Sequence, residues 1–263
     1  MSKQQMKVGV TLYSYRDLYR QNMTVEEAIE HAASCGAKCI ETVDQCNFRD
    51  WPHPKLSDLF RIKELIESLG MEWVNWSQYT EEEYSADYKC TEDDLVDQVK
   101  ESILYAHILG IPVTRITPFP NVDPAKNRVI EKCLPFAEKY NVIIGFEIHS
   151  PQKPDRFLEL MKQYNSKYLS VVPDFSAWSY AMNLSLDSFR ECLPYTHHIH
   201  GKAHSIISEG GDEPSIPYKD LMTVLKDYNY TGSIVAEYEP REHDTDTRKG
   251  VESLVKYIYS FVE

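Results

Sequence analysis

Residues 142–150 read VIIGFEIHS, an apolar, β-branched run that closes on Glu147 and His149. Short runs of this kind fit parallel strands buried on both faces, and in α/β folds the C-terminal end of such a strand is where ligands and chemistry collect. The same grammar returns three times: YLSVVPDF (168–175) delivers Asp174, THHIHGKAH (196–204) delivers His200, and GSIVAEYE (232–239) delivers Glu237. Each run ends on a metal-type ligand. The first expectation is therefore that Glu147, Asp174, His200 and Glu237 converge on one divalent cation.

Working outward from that stretch, strand-like and helical patterns alternate along the whole chain, which favours a parallel sheet with helical crossovers. The strands predicted are 8–13, 37–42, 71–76, 113–117, 142–148, 169–174, 197–202 and 233–238. Between them, Thr24 opens a helix with Glu27 three residues on, a capping box, and that helix stops at Gly36. A second starts at Ser57 and ends at Gly70, with Leu59, Ile62, Leu65, Ile66 and Leu69 on one face. Thr91 opens a third, with acidic residues in its first turn and Gly110 at its end, and Pro124, Pro154 and Pro217 open three more. The charged segment 81–90 reads as an exposed loop. Eight strands close a barrel, so the fold class expected is α/β, a (β/α)8 TIM barrel forming one domain over residues 1–263.

Composition narrows the function. The chain carries 28 basic and 41 acidic side chains, a formal net charge of −13, which repels phosphate backbones and anionic membranes. Neither nucleic acid nor a membrane is expected as a partner. The N-terminus lacks an apolar segment of signal-peptide length and no uncharged run reaches the ~18 residues of a membrane span, so a cytoplasmic location is expected. The six cysteines, Cys35, Cys39, Cys46, Cys90, Cys133 and Cys192, follow no zinc or disulfide spacing and read as small buried hydrophobes.

Three ionised carboxylates at 4 Å repel by about 4 kcal/mol per pair at an effective dielectric near 20, and a bound cation removes that repulsion. Oxygen-rich ligation with one imidazole suits Mn²⁺ first, with Mg²⁺ and Co²⁺ close behind and Zn²⁺ open. Glu239 shares a strand face with Glu237 and competes for its role; Glu237 is preferred. By the same alternation His198, His200 and Lys202 share a face and His197 opposes them. His149, two residues after Glu147, is expected to face the interior, where a neutral imidazole suits proton transfer; the blander alternative is a partner that orients a ligand. Glu41, at the end of the second strand, is a further inward carboxylate able to take substrate hydroxyls or to act as the opposing acid/base. Lys202 offers a cation to a developing oxyanion. Tyr13, Trp76, Phe119 and Trp178 are expected to wall the pocket, with His198, Glu239 and Arg241 also against substrate; Trp73 reads equally as core.

With these residues in view, the chain resembles the xylose-isomerase-like TIM-barrel superfamily, the sugar isomerase/epimerase group. VGVTLYSYRD is similar to that group's first strand and loop, GAKCIET to its G-x-x-x-I-E second strand, and HIHGK to its H-x-H-x-K seventh strand. The resemblance implies a metal held by Glu147, Asp174, His200 and Glu237. A narrower similarity, in FEIHSP, HIHGK and EPSIPYKDLMTVLKDYNYTGSIVAEYEPRE, is to the catalytic subunits of bacterial C-glycoside deglycosidases and their relatives. It implies metal-assisted proton removal and elimination on a 3-oxo-glycoside, a base at His149, an oligomer and a small accessory subunit. The chain departs from those relatives in HGKAHSI, where they carry Phe-Tyr after the lysine, and at Pro240, where they carry glycine; both departures bear on the substrate.

The shared chemistry is proton abstraction next to a carbonyl, and the enediolate then epimerises, isomerises or expels a β-substituent. A carbohydrate or glycoside is thus the expected substrate. Two other readings compete: an apurinic/apyrimidinic endonuclease-like DNA repair enzyme on the same barrel, which needs extra zinc-binding histidines and a basic groove, and a sugar-binding barrel without catalysis.

Overall fold

β-Branched and aromatic residues pack best on a pleated surface buried from both sides, and eight such runs form eight parallel strands. They are β1 (Lys7–Thr11), β2 (Cys39–Val43), β3 (Glu72–Tyr79), β4 (Val113–Thr117), β5 (Ile143–Ile148), β6 (Leu169–Pro173), β7 (His198–Ala203) and β8 (Ser233–Tyr238). In this computed structural model the described residues are 6–48, 50, 53–79, 91–117, 124–241 and 246–262. The strands hydrogen-bond in the order β6-β5-β4-β3-β2-β1-β8-β7. Two single bridges, Val171 to Thr196 and Asp174 to His200, bring β6 to β7 and nearly close the barrel. All eight predicted strands are present, most within two residues of their predicted ends; β3 runs three residues further, to Tyr79.

Among the described residues, eight helices of seven residues or more surround the strands: α1 (Val25–Ser34), α2 (Leu56–Ser68), α3 (Glu92–Leu109), α4 (Pro124–Tyr140), α5 (Pro154–Tyr164), α6 (Leu186–Cys192), α7 (Tyr218–Tyr228) and α8 (Thr247–Val262). The Thr24 and Thr91 caps form as expected, each as a reciprocal pair, with Glu27 and Asp94 respectively. α2 begins one residue before the predicted Ser57, at Leu56, after an extended Lys55 that supplies no side-chain bond. α6 and α8 are additional to the six helices predicted. Five of the six cysteines are free, and Cys90 lies outside the described residues. The segment 81–90 lies outside them too.

Helices pack on the outer faces of the strands, α8 on β8 and β1, α3 on β3 and β4, and α5 on β5 and β6. At Gly201 that contact is close enough to dictate the residue: a Cβ there would stand 2.6 Å from Tyr218 Oη, so glycine lets α7 lie against β7 between His200 and Lys202. The inner face carries the polar groups. No helix among the described residues is long and apolar enough to cross a membrane.

Candidate active site

The four predicted ligands meet at the C-terminal mouth of the barrel. Glu147 ends β5 but for one residue, Asp174 follows β6 directly, and His200 and Glu237 stand on neighbouring strands β7 and β8. One ligand atom from each lies within 4.8 Å of all the others. His200 is central: its Nδ1 is 2.7 Å from Glu147 Oε1 and 3.0 Å from Glu237 Oε2, and its Nε2 is 2.8 Å from Glu41 Oε2. Burial works against charge on this ring, but Glu41, Glu237 and Glu147 outweigh it and hold its pKa well above the usual imidazole range. Burial raises Asp174, and Glu237 and Glu147 add to that, with Lys202 opposing; the carboxyl ends above its ordinary value. Glu147 goes the other way, because Arg115 and His200 outweigh its burial.

Two fixed cations balance these acids. Lys202 Nζ sits 3.0 Å from Asp174 Oδ2, 3.0 Å from Glu237 Oε1 and 2.9 Å from Glu239 Oε2. Arg115, from β4, is buried with its Nη1 on Glu147 and its Nε donating to Ser77 Oγ at 2.8 Å. The donor set still fits a divalent cation. Asp174 Oδ2, His200 Nδ1 and Glu237 Oε2 are buried and, despite their close charged neighbours, make no well-formed hydrogen bond among the described residues. Oxygen-rich ligands around one imidazole, left short of partners, are what a hard or borderline cation satisfies.

Above the cluster opens a cavity of about 450 Å³, lined in part by Tyr13, Glu41, Tyr79, Arg115, His149, Ser176, Lys202, His204, Glu239 and Arg241. His149 is placed where the sequence puts it, and its Nδ1 lies 2.7 Å from the Ser150 carbonyl. A carbonyl only accepts, so Nδ1 carries the proton and the neutral ring keeps its lone pair on Nε2. Tyr13 stands on the rim with the Arg16 guanidinium 4.6 Å above its ring, and burial pushes its hydroxyl pKa up to about 12. Glu41 lines the cavity floor with both oxygens engaged, accepting from Ser77 and facing His198 and His200. Burial opposes its charge, but His200 and His198 bring it well below the usual carboxylate range.

Three expected pocket residues are elsewhere. Trp76 faces outward from the middle of β3, stacked on Phe48 at 5.4 Å and against Trp73 and Tyr105. Trp178 turns away in the short helix Phe175–Trp178, donating to Ser188 and packing on Phe189 of α6. His198 is fully buried below the cavity, between Ser233 Oγ and Glu41 Oε2, both at 2.7 Å. Phe119 lies outside the described residues. The sequence reading in turn passed over Arg115, Tyr79, Ser176 and His204. Arg115 had a signal, a lone charge inside the apolar run VTRIT.

That guanidinium carries a prediction of its own. Removing one partner of a buried ion pair leaves the other unpaired, at a cost of about 3–5 kcal/mol. Arg115→Met is therefore expected to lower the stability of the metal-free protein by that amount in urea unfolding, and added Mn²⁺ to restore part of it. A loss below about 1 kcal/mol would show that Glu41 and Glu147 do not depend on Arg115.

Comparison with known proteins follows the same lines. Residues 29–257 match the family model described as a xylose isomerase-like TIM barrel. The chain is 23% identical to the C-glycoside deglycosidase alpha subunit of Arthrobacter globiformis, covering 88% of this chain and 83% of that protein. It is 24% identical to the 3'-dehydrocarminate deglycosidase alpha subunit of a Microbacterium species, covering 89% and 88%. Among solved structures, D-psicose 3-epimerase from Clostridium cellulolyticum H10, determined with D-tagatose, superposes with a TM-score of 0.73 at 15% identity over 98% of this chain and 100% of that one. A probable 3-DHS dehydratase from Bacillus anthracis gives 0.72 at 17% identity over 97% and 99%. Eight parallel strands, the family match and these neighbours agree: the chain belongs to the xylose isomerase-like TIM barrel family.

Proposed function

We propose that this protein is a divalent-metal-dependent carbohydrate enzyme that removes the proton next to a carbonyl of a ketose or a 3-oxo-glycoside. The observation that carries this reading is the convergence of Glu147, Asp174, His200 and Glu237 within 4.8 Å, with His149 on the wall of the same cavity. A cation held by those four, Mn²⁺ by preference, would stabilise the negative charge that forms as the proton leaves. The rest falls to the chain. His149 takes the proton on Nε2, its ring fixed by the Ser150 carbonyl. Glu41 orients His200 from below. Lys202 keeps Asp174, Glu237 and Glu239 from repelling one another and stands ready to donate to a developing oxyanion. Tyr13, Tyr79 and Arg241 form the wall on which a sugar ring or aglycone rests.

Elimination from a 3-oxo-glycoside is the favoured outcome, because the two deglycosidase relatives align over nearly the whole chain. Those relatives are named alpha subunits, which supports a small partner subunit for this chain as well. The test is incubation with Mn²⁺ in D₂O and a panel of free ketoses and 3-oxo-glycosides, followed by NMR. Deuterium is expected at the carbon next to the carbonyl, together with the epimer, isomer or eliminated product. No exchange with any member of the panel, in a protein that also holds no metal after dialysis, would favour a barrel that only binds sugars.

A further inference from the structure

Three histidines line the cavity, and their ring nitrogens are committed differently. His200 has both of its nitrogens among carboxylates. His149 and His204 each have Nδ1 at a backbone carbonyl, of Ser150 at 2.7 Å and of Glu239 at 2.8 Å, and neither Nε2 has a hydrogen-bond partner among the described residues. Because a carbonyl only accepts, Nδ1 is protonated in both, and Nε2 is the nitrogen left to exchange a proton with whatever fills the cavity. His204 continues the inward alternation His198, His200, Lys202, and arrives at the mouth just past the end of β7.

His204 is also held more firmly than a rim residue needs to be. Its backbone N–H donates to Glu213 Oε2 at 3.2 Å, and Ser205 Oγ donates to the same oxygen at 3.1 Å. The other oxygen of Glu213 takes the Ser215 N–H and hydroxyl, at 3.0 and 2.6 Å. Glu213 is 2% exposed. A buried carboxylate thus holds the His204 N–H and the Ser205 hydroxyl while the Glu239 carbonyl fixes the ring, the kind of support that holds a reacting group in one geometry.

We propose that His204 is a second proton-transfer residue, lining the same cavity as His149 and handling the proton that His149 does not. The inference rests on the proton-abstraction reading above. In its step the imidazolium form gives up the Nε2 proton: the N–H bond breaks, its electron pair stays on Nε2, and the proton bonds to the substrate atom that receives the electrons freed by His149. That atom is carbon in an isomerisation or epimerisation and the departing atom in an elimination. His149 leaves the step one proton richer and His204 one poorer, and water at the open mouth resets both.

Asparagine separates this role from a brace, because its amide N–H takes the place of Nδ1 on the Glu239 carbonyl and offers nothing at Nε2. With Mn²⁺, the substrate panel and D₂O, His204→Asn and His204→Ala are both expected to raise the ratio of deuterium incorporated to product formed by roughly 10²-fold, the lower end for losing a positioned acid or base. Metal content, read by elemental analysis after dialysis, is expected to match the wild type in both. A wild-type ratio in His204→Asn, with a defect only in His204→Ala, overturns the proposal and makes His204 a brace for the Glu239 strand end. Loss of metal in His204→Asn overturns it as well. If the wild-type protein itself exchanges no proton with the panel, the functional reading falls and takes this proposal with it.

Discussion

On the proposed function, Glu147→Gln is expected to abolish the binding of a divalent cation. The substitution keeps the shape of the side chain and removes its charge, so the barrel mouth keeps its packing while the cluster of three carboxylates and one imidazole loses an anionic member. It also reverses an electrostatic balance: Arg115 Nη1, now on the Glu147 carboxylate, would face a neutral amide while still buried, adding a positive field where the cation belongs. Losing a partner that merely orients a metal ligand weakens metal affinity 10- to 100-fold, so losing a ligand is expected to cost at least about a hundredfold. Titration calorimetry of the dialysed protein with Mn²⁺ reads this directly, and Asp174→Asn is expected to behave alike. Undiminished affinity in both variants would remove the metal centre from this site.

The sequence made the strand ends legible because the barrel is built by repetition. Each apolar run is short, each ends in a polar group, and parallel alignment brings those ends to one rim, so Glu147, Asp174, His200 and Glu237 could be grouped without knowing any distance. What misled was depth and direction. Trp76 looked like a strand end, but β3 continues through Ser77 and Gln78 to Tyr79, which puts Trp76 on the outer face and gives the cavity Tyr79 instead. His198 does share a face with His200, but at a rise of about 3.3 Å per residue it lies a full rung lower, beside Glu41 rather than the cavity. Trp178 was unreadable for another reason: it packs on Phe189 of α6, a helix of seven residues that gives little periodicity. Arg115 and His204 share the inward parity of their strands, and Arg115 is also a lone charge within VTRIT, but only the packed barrel shows what each of them faces.

His149→Ala is expected to leave the metal and remove the chemistry. Among the described residues the ring makes one side-chain hydrogen bond, to the neighbouring Ser150 carbonyl, and none to the four ligands; its tie to them is a charge interaction with Glu147, so its loss should leave the ligand set in place. A positioned general base contributes about 10²–10⁴ in rate, and solvent deuterium exchange at the carbon next to the carbonyl should fall by that factor while metal content stays at the wild-type level. Added imidazole provides a second readout: a small base able to enter the space left by the ring should restore part of the exchange, and should do nothing for Glu147→Gln, whose defect lies in the cation. A His149→Ala protein that loses its metal would make His149 a ligand, and one that exchanges at the wild-type rate would move the base elsewhere on the rim. Either result would separate the role of the imidazole from that of the carboxylates beside it, because the two kinds of group fail in different measurements: the ligands in a binding isotherm, the base in an exchange rate at saturating metal.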